Sequence, residues 1–535
     1  MKKTILFIFA MMLSSLVFAK ADDLRLPDAF SALMPMPNKA VLTKGTPFVV
    51  NQKTTIYASG ADLSFSVVYL QNILSDRLNV TPAKSSVQLP KNQIKLLIDN
   101  SVSNPEGYVL NVNSKLIEVK ASTKAGILNA VSTLDQILLG DVCNTKNCKI
   151  VAMTIDDYPR FARRALMLDP ARHFLPVEDV KKYIDTMMRY KYNVLQIHLT
   201  DDQGWRFEVK GEESLTAHGK HYTQEQLKDI ISYAEERGVE IVPEIDIPGH
   251  TSALLFDKPH LGCTSKDTIA IKLGKTADRM LCASNAEGYE LYKKIISQIS
   301  SVFKSKYIHL GGDESIIEQN WAKCSKCQAM MKELGYSKPE KLMIPFFEKM
   351  LSYVRDNGKT PILWCENDNI RMPAKEYLFP YPQDVVLVTW RYGLTPLCLD
   401  LTYKSGNKIL MAPGEFTYFD YPQLRGDLPE FNNWGMPVTT LKRSYEFDPG
   451  YGLPKEKQQH IDGVMGTLWG EAIQNIDRAN YMTYPRAFAM IEAGWTEMEN
   501  RSWESFKKRI YPNILQLMKR GVSVRAPFEI ANEKK

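Results

Sequence analysis

The stretch Tyr307-Ile-His-Leu-Gly-Gly-Asp-Glu-Ser315 combines an apolar run, two glycines and two adjacent carboxylates. The run from Tyr307 to Leu310 has the length and residue types of a buried strand, and the glycines allow a sharp turn after it. Two neighbouring carboxylates do not both ionise easily, so one is expected to hold a proton near neutral pH. Such a group is the acid that cleavage of a glycosidic or ester bond requires. A surface turn of the same composition is the alternative interpretation.

From Phe161 onward, apolar strands alternate with helical segments such as Val177–Tyr190 and Gln224–Arg237. The strands are predicted at Ala165–Leu168, Val194–Leu199, Val239–Pro243, Tyr307–Leu310, Pro361–Trp364, Val385–Trp390, Ile409–Ala412 and Val464–Leu468. Eight such units predict an α/β fold of the (β/α)8 TIM-barrel type, whose active site lies at the carboxyl ends of the strands. An open doubly wound sheet is the alternative, but no glycine-rich phosphate loop follows the first strand.

The segment before the barrel has a different rhythm of short strands and two longer helical runs. Residues 22–157 are therefore predicted to form a small α+β domain, with strands at Phe48–Ile56, Ile94–Leu97, Tyr108–Val112 and Leu116–Lys120. Asp156-Asp157-Tyr158-Pro159 is typical of a hinge. Residues 158–535 are assigned to the catalytic barrel with its C-terminal helices.

The N-terminus has the pattern of a secretory signal peptide over residues 1–21. Two lysines precede an apolar run from Ile5 to Phe18, and small residues follow around Ala19 and Ala21. The run is short for a membrane span, so we expect an exported protein, periplasmic or secreted, without a stable span after cleavage. The formal net charge is +6, and no basic run indicates nucleic-acid binding. The sequence makes no prediction about oligomeric state.

The eight cysteines fit an oxidising compartment. Cys143 with Cys148, and Cys263 with Cys282, each bracket a loop and are expected to form disulfides. The Cys-x-x-Cys motif of Cys324 and Cys327 is compatible with a redox motif, half a zinc site or a structural disulfide. Because no second motif completes a zinc site, the disulfide is favoured. Cys365 and Cys398 are expected to be unpaired.

Polar or aromatic residues follow every predicted barrel strand. In chain order they are Asp169, Arg172 and His173, then Asp201 and Trp205, then Glu244, Asp246 and His250, then Asp313 and Glu314, then Trp364, Trp390, Tyr418, Asp420, Trp469 and Glu471. A barrel with a purely structural role has no need of this asymmetry. Tryptophan rings and carboxylates on one face indicate a pocket for a sugar, whose apolar faces stack on rings and whose hydroxyls bind charged groups.

Five ordered blocks resemble the signature blocks of glycoside hydrolase family 20, the exo-acting β-N-acetylhexosaminidases. They are Arg164-Ala-Leu-Met-Leu-Asp-Pro-Ala-Arg-His-Phe174, His198-Leu-Thr-Asp-Asp-Gln-Gly-Trp205, Pro243-Glu-Ile-Asp-Ile-Pro-Gly-His250, His309-Leu-Gly-Gly-Asp-Glu314 and Leu468-Trp-Gly-Glu471. The resemblance extends from the end of the N-terminal domain through the whole barrel. Two positions depart from the family pattern: Ala165 replaces a frequent glycine, and Cys365 replaces the aspartate that usually follows the strand-five tryptophan.

The resemblance implies a retaining, substrate-assisted mechanism through an oxazolinium intermediate. Glu314 would be the general acid and base, and Asp313 would orient the substrate's 2-acetamido group. Tyr418 would hold the acetamido oxygen. Asp201 and His250 would support Glu314 through a chain of hydrogen bonds.

The resemblance also implies a set of sugar contacts. Arg164 would bind the 3- and 4-hydroxyls, and Asp420 and Glu471 would bind the 4- and 6-hydroxyls. Aromatic walls would come from Trp364, Trp390, Trp434 and Trp469. No cofactor and no metal are implied, and the expected partner is an oligosaccharide or glycoconjugate with a terminal β-linked HexNAc.

Three alternatives stay open at this stage. One is a family member that releases a disaccharide, as a lacto-N-biosidase does. Another is a metal-dependent hydrolase that uses His198, Asp201, His250 and Glu314 as ligands. The third is a sugar-binding barrel that has lost catalysis.

Overall fold

The computed structural model describes residues 29–78, 81–139, 147–263, 279–365, 380–425, 436–528 and 530. Contacts between Cα atoms divide the chain into two compact units. The first comprises the chain up to Pro159 together with Trp495–Gly521, and the second comprises Arg160–Gly494 together with Val522–Lys535. The expected signal peptide and Trp434 lie outside the described residues.

The first unit contains a mixed sheet with the strand order β1-β9-β6-β7-β5-β3-β4 and a separate β2–β8 pair. Its strands are β1 (Lys39–Leu42), β2 (Phe48–Val50), β3 (Thr55–Ser59), β4 (Ala83–Ser85), β5 (Gln93–Ile98), β6 (Tyr108–Val112), β7 (Leu116–Ala121), β8 (Cys148–Ile150) and β9 (Met153–Asp157). Helices α1 (Ser64–Leu78) and α2 (Lys124–Ile137) pack together, and α2 lies on β5, β6 and β7. The predicted α+β domain is confirmed.

One predicted strand of this unit, Phe48–Ile56, is in fact two strands in different sheets. Between β2 and β3 the chain turns, with Thr54 N donating to the Asn51 carbonyl at 2.9 Å and Asn51 N donating to Thr54 Oγ1 at 2.9 Å. The polar residues of this turn interrupt an otherwise β-rich run. The error arose because β-branched residues on both sides conceal a turn made by side-chain hydrogen bonds.

The second unit is a closed barrel of parallel strands. The strands are β10 (Arg163–Leu168), β11 (Val194–His198), β12 (Glu240–Glu244), β13 (Tyr307–His309), β14 (Thr360–Trp364), β15 (Val386–Thr389), β16 (Ile409–Met411) and β17 (Ile461–Gly466). Pairing of β10 with both β11 and β17 closes the barrel. The predicted (β/α)8 barrel is therefore confirmed, strand by strand.

The barrel strands are buried along nearly their whole length, which explains why most of their residues are apolar. Inside the barrel, small and large apolar side chains fill the interior, among them Ala165, Met167, Val242, Ile362, Val388, Leu410 and Met465. The interior is a packed core, so polar groups gather towards the end of the barrel.

Helices follow the strands around the barrel. They are α3 (Val177–Arg189), α4 (Gln224–Glu236), α5 (Ser252–Asp257), α6 (Ala286–Val302), α7 (Ser325–Glu333), α8 (Met343–Asp356), α9 (Thr395–Ser405), α10 (Gly414–Thr417), α11 (Leu441–Tyr445), α12 (Ile476–Thr483) and α13 (Arg486–Trp495). Helix α4 begins with a capping box between Thr223 and Gln226, which satisfies backbone amides of its first turn. No helix in the described ranges is long and apolar enough to span a bilayer.

The last long helix, α14 (Trp503–Lys519), belongs to the first unit, although the sequence pattern assigns it to the barrel domain. Trp495 Nε1 donates to Asp157 Oδ1 at 2.9 Å. Farther along, Arg509 Nη1 donates to the Leu33 carbonyl at 2.6 Å. Periodicity predicts that this helix has a buried face, but it does not indicate which unit covers that face.

The disulfide predictions meet a mixed outcome. Cys148 is disulfide-bonded, and its expected partner Cys143 lies outside the described residues. Cys365 and Cys398, expected to be unpaired, have sulfur atoms 3.2 Å apart.

The other two predicted disulfides are wrong in this structure. All four of their cysteines carry free, buried thiols and gather in one place: Cys263, Cys282, Cys324 and Cys327. We refer to these residues as the cysteine quartet. Sequence spacing pairs cysteines that are near along the chain, whereas folding brings both predicted pairs together, so each sulfur has several sulfur neighbours.

The turn after β13 depends on Gly311 and Gly312, whose φ angles are +67° and +102°. A Cβ atom at Gly311 would lie 1.7 Å from Asp246 Oδ1, and the amide of Gly312 donates to the same oxygen at 3.1 Å. The buried carboxyl group of Asp246 therefore fits against a backbone without side chains. This contact fixes the direction in which the chain leaves β13.

Replacing Gly311 with alanine should destabilise the barrel far more than the same change at Gly358. Both glycines have left-handed backbones, but a Cβ at Gly358 (φ +70°) would meet nothing within 4 Å. We expect Gly358→Ala to lower the free energy of unfolding by about 1 kcal/mol and Gly311→Ala by about 3 kcal/mol or more. Urea unfolding followed by tryptophan fluorescence measures both. Equal losses would contradict the role given to the Asp246 contact.

Candidate active site

The polar residues predicted to follow the barrel strands gather at one end of the second unit. Because all strands run parallel, their carboxyl ends share one rim. Beyond those ends lie Asp169, Arg172, Asp201, His250, Asp313, Glu314, Tyr418, Asp420, Trp469 and Glu471. The loops after β12 and β13 bring the side chains of His250, Asp313 and Glu314 close together.

His250 lies between Asp201 on one side and the two adjacent carboxylates on the other. Its Nδ1 is 3.2 Å from Asp201 Oδ1, and its Nε2 is 3.7 Å from Glu314 Oε2 and 3.8 Å from Asp313 Oδ2. His250 and Glu314 both have left-handed backbones, with φ of +52° and +45°. For residues other than glycine this conformation is strained, and such strain concentrates at functional sites.

Asp201 is almost fully buried and is surrounded by donors. Arg172 Nη1 and His198 Nε2 each lie 2.7 Å from Asp201 Oδ2, and the amide of Asp202 donates to Oδ1 at 2.6 Å. Burial alone would raise the pKa of Asp201, but Arg172 and His250 outweigh it and hold the pKa well below its usual range. Asp201 is therefore a permanent negative charge behind His250.

The same charges set the protonation of His250 and Glu314. Burial opposes the charged form of His250, but Asp201 and the nearby acidic groups outweigh it and raise the pKa of His250 well above its usual value. Burial raises the pKa of Glu314; the charge of His250 opposes this change and that of Asp313 adds to it. The Glu314 side chain is still 53% exposed, whereas that of Asp313 is 8% exposed. Glu314 thus combines a raised proton affinity with access from solvent, as an acid catalyst needs.

A second buried carboxylate, Glu244, organises the floor of the site. It accepts hydrogen bonds from Trp364 Nε1 and Gln196 Nε2, each at 2.8 Å, and lies 2.9 Å from His198 Nδ1. Burial raises the pKa of Glu244, but the histidines His198 and His309 outweigh it and lower the pKa to about 2. Its negative charge orients the Trp364 ring.

Aromatic rings form a wall around these groups. The ring centroids of Trp364 and Trp469 are 5.7 Å apart, and those of Tyr418 and Trp469 are 6.4 Å apart. Trp390 packs with Tyr418 in the same apolar cluster. The structure therefore brings three of the four predicted tryptophans together, and it does not describe the fourth, Trp434.

Several buried polar atoms of the site have no hydrogen-bond partner of good geometry. They include Tyr418 Oη, Asp313 Oδ1, Trp390 Nε1 and Arg172 Nε. Buried polar atoms are nearly always satisfied, so a group of orphans at the barrel rim indicates the place where a ligand supplies the missing bonds. These four atoms comprise three donors and one acceptor.

Asp420 and Glu471 form an acidic pair at the side of the pocket. Asp420 is buried and accepts from the amide of Trp469 at 3.4 Å, whereas Glu471 is exposed. Burial, with the charge of Glu471 as the next cause, raises the pKa of Asp420 to about 8. At neutral pH Asp420 can therefore donate as well as accept a hydrogen bond.

The prediction for Arg164 is wrong. Arg164 is fully buried at the amino end of β10, away from the rim, and its guanidinium donates to the carbonyls of Lys191 and Phe161, each at 2.9 Å. The arginine at the site is Arg172, which pairs with Asp169 at 3.1 Å and lies 5.1 Å from the Trp469 ring. The available signal was position, since Arg164 precedes the predicted strand and Arg172 follows it.

The geometry does not support the metal-dependent alternative. In that hypothesis Asp201 is a metal ligand, but the Arg172 guanidinium already lies 2.7 Å from it. His250 has a raised pKa, which favours the protonated form that cannot bind a metal. Among the described residues, the groups of rim side chains close enough to share an ion do not include Glu314.

Comparisons with known proteins identify the family of the chain. The model of "Glycosyl hydrolase family 20, catalytic domain" matches residues 161–498, and that of "Glycosyl hydrolase family 20, domain 2" matches residues 31–158. A beta-hexosaminidase of Akkermansia muciniphila is 33% identical over 464 residues, which cover 83% of this chain and 91% of that protein.

Two solved structures extend the likeness to three dimensions. The family 20 exo beta-N-acetylglucosaminidase from Vibrio harveyi, in complex with N-acetylglucosamine, has a TM-score of 0.79 at 29% identity and covers 93% of this chain and 78% of its own. The beta-N-acetylhexosaminidase from Bacteroides fragilis also has a TM-score of 0.79, at 26% identity, and covers 94% and 98%. The chain therefore belongs to glycosyl hydrolase family 20, and the protein is a glycoside hydrolase.

Proposed function

We propose that the protein is an exo-acting, retaining β-N-acetylhexosaminidase that removes terminal β-linked GlcNAc or GalNAc by substrate-assisted catalysis. The observation that carries this proposal is the pair of orphaned buried atoms Asp313 Oδ1 and Tyr418 Oη. One is an acceptor and the other a donor, and an acetamido group presents the complementary N–H and C=O. Burial raises the pKa of Tyr418 well above its usual value, and the charge of Asp313 adds a smaller contribution in the same direction, so the two side chains lie near each other.

In the first step, Glu314 donates its proton to the glycosidic oxygen, and the bond between C1 and that oxygen breaks. The acetamido oxygen of the substrate attacks C1 from the opposite face, so a cyclic oxazolinium ion forms and the aglycone leaves as an alcohol. Asp313 accepts a hydrogen bond from the acetamido N–H and offsets the positive charge that develops there. Tyr418 donates to the acetamido oxygen and directs it to C1.

In the second step, Glu314 is a carboxylate and takes a proton from water. The water attacks C1, the bond from C1 to the acetamido oxygen breaks, and the sugar is released with its β configuration retained. The protonated His250 beside Glu314 stabilises the carboxylate form between the two steps, and Asp201 stabilises the charge on His250. Each of the two steps inverts the configuration at C1, so the overall reaction retains it.

The sugar itself would lie against the tryptophan wall. Trp364, Trp390 and Trp469 offer apolar surfaces for the ring, and the orphaned Nε–H of Arg172 offers a donor for a hydroxyl. Asp420 and Glu471 would bind other hydroxyls of the same sugar. The names of the relatives support this substrate class, as does the N-acetylglucosamine in the Vibrio harveyi structure. Export by the predicted signal peptide remains part of the proposal and would expose the enzyme to glycans outside the cytoplasm.

The requirement for the N-acyl group tests the mechanism. The protein should hydrolyse nitrophenyl β-GlcNAc at least a thousandfold faster, in kcat/KM, than the matched β-glucoside, because the glucoside lacks the internal nucleophile; this corresponds to about 4 kcal/mol. Asp313→Asn should reduce kcat on the GlcNAc substrate by about a hundredfold or more through loss of the oriented acceptor. The first product, observed by proton NMR, should be the β anomer. Comparable rates on both glycosides, or an α product, would exclude the proposal.

The role of Glu314 is tested by the leaving group. Glu314→Gln should reduce kcat/KM by about a thousandfold or more on a methylumbelliferyl or chitobiose substrate, whose leaving group needs a proton. With dinitrophenyl β-GlcNAc, whose leaving group departs without one, the loss in the glycosylation step should be at least tenfold smaller. Wild-type kcat/KM should fall as pH rises through the raised pKa of Glu314, because the protonated acid disappears, and the variant should lack this basic limb. Equal losses on both substrates would contradict the assignment.

Two charge-preserving substitutions separate the two arginines. Arg172→Lys should lower kcat/KM about tenfold to a hundredfold, since the ammonium cannot reproduce the guanidinium geometry at Asp169 and Asp201. Arg164→Lys should leave kcat/KM within about twofold but lower the thermal midpoint, because buried carbonyls lose their donors at a cost of about 1–3 kcal/mol. Steady-state kinetics and calorimetry on both variants give the comparison. A kinetic defect confined to Arg164→Lys would restore the original prediction.

A further inference from the structure

The cysteine quartet lies in the second unit, in two loops that also carry catalytic groups. Cys263 and Cys282 belong to the loop after β12, where a β-bridge joins Gly262 to Leu281 and the amide of Cys282 donates to the Leu261 carbonyl at 3.0 Å. The other two cysteines lie at the start of α7, in the loop after β13. All four side chains are buried.

The sulfur positions differ from those of disulfides. The distances between Sγ atoms are 3.7 Å for Cys263–Cys327, 3.9 Å for Cys282–Cys324 and 3.5 Å for Cys282–Cys327. A disulfide needs about 2.05 Å between two sulfurs. Moreover, Cys282 and Cys327 each contact more than one other sulfur, whereas a disulfide framework gives every sulfur a single partner.

The same positions match the corners of a metal–thiolate tetrahedron. All four ligand atoms lie within 4.8 Å of one another. With zinc–sulfur bonds of about 2.3 Å, the edges of an ideal tetrahedron are about 3.8 Å, close to the three shortest distances. Four soft ligands with this geometry, and no open position, are typical of structural zinc. We propose that the cysteine quartet binds one zinc ion that joins the two catalytic loops.

The zinc ion would act on the active site through the backbone. Next to Cys282, the amide of Leu281 donates to the Pro248 carbonyl at 3.0 Å, two residues before His250. Trp321 Nε1, three residues before Cys324, donates to the Leu281 carbonyl at 2.7 Å. Zinc would thus hold the loop of His250 against the loop of Asp313 and Glu314. It is a positioning element and takes no part in the chemistry.

This site goes beyond the predictions from sequence, in which one Cys-x-x-Cys motif lacked a second pair. The second pair is Cys263 and Cys282, separated along the chain and joined by the β-bridge. Its ligands are also distinct from the rim residues of the metal-dependent alternative. Zinc binding can therefore be measured whether or not the proposed glycosidase activity is correct.

Metal analysis of the full-length protein, purified without added metal, is the first measurement. We expect about one zinc per chain. After the metal is chelated and the protein is denatured without a reductant, all four thiols of the quartet should react with an alkylating reagent. Cobalt(II) added to the stripped protein should give thiolate-to-metal charge-transfer bands and the visible bands of a tetrahedral ion. Absence of zinc, with the quartet found in disulfide-linked peptides, would overturn the proposal, and so would iron in place of zinc.

Matched variants identify the ligands. Cys327→Ser should lose zinc, whereas Cys398→Ser should keep it. The two variants are matched because each removes one buried thiol that lies beside another sulfur. His250→Ala should also keep zinc while losing activity, which separates the quartet from the rim. If Cys327→Ser folds poorly, zinc retention in the Cys398 and His250 variants and the cobalt spectrum of the wild type still decide the matter. Zinc lost from either of those two variants would contradict the assignment.

The positioning role has its own readout. Removing zinc from the wild type should lower the thermal midpoint and reduce kcat more than it changes KM, and added zinc should restore both. Because the charge of His250 lowers the pKa of Glu314, displacement of His250 should move the basic limb of kcat/KM to higher pH. A stripped enzyme with unchanged midpoint, kcat and pH profile would show that the quartet does not support the catalytic loops.

Discussion

The site depends on one buried charge, the carboxylate of Asp201. A lone carboxylate away from water is strongly unfavourable, so it persists only when several donors surround it. Arg172, His198 and His250 provide those donors, and they come from the loops after β10 and β12 and from β11 itself. Because the charge of Asp201 must be compensated by these donors, three neighbouring parts of the rim are held in one arrangement. The position of His250 against Glu314 follows from that arrangement.

The second requirement is that the site keeps some polar groups unsatisfied. Asp313 Oδ1, Tyr418 Oη and Arg172 Nε are buried without hydrogen-bond partners of good geometry, which is unfavourable for the folded protein alone. The packed barrel below the rim provides the stability that compensates for this, and the bound sugar would supply the missing hydrogen bonds. Groups that are well satisfied, such as Glu244, hold the rings in place, whereas the orphans are available to the substrate. The division between satisfied and unsatisfied groups separates the scaffold from the binding surface.

Features that depend on residues close together in the chain were predicted correctly more often than features that depend on contacts between distant residues. All eight barrel strands were predictable, because a strand buried on both faces appears as a continuous apolar run. The positions of His250, Asp313 and Glu314 were predictable once the strands were known, because residues that follow parallel strands must share one rim. The prediction for Arg164 was wrong because the signature block contains two arginines at opposite ends of β10, and the prediction chose the arginine that precedes the strand although the site residues follow the strands. The strand Phe48–Ile56 failed because a turn made by side-chain hydrogen bonds has almost no apolar signal.

The sequence by itself determined the fold class, the order of the strands and the set of residue types on the rim, because these depend on periodicity and on chain direction. Only the tertiary structure decided which arginine meets Asp201, which polar atoms stay unsatisfied and which unit holds the last helix. It also decided that Cys263 and Cys282 lie beside Cys324 and Cys327. These features depend on contacts between residues far apart in the chain, and a single sequence carries no local pattern for such contacts.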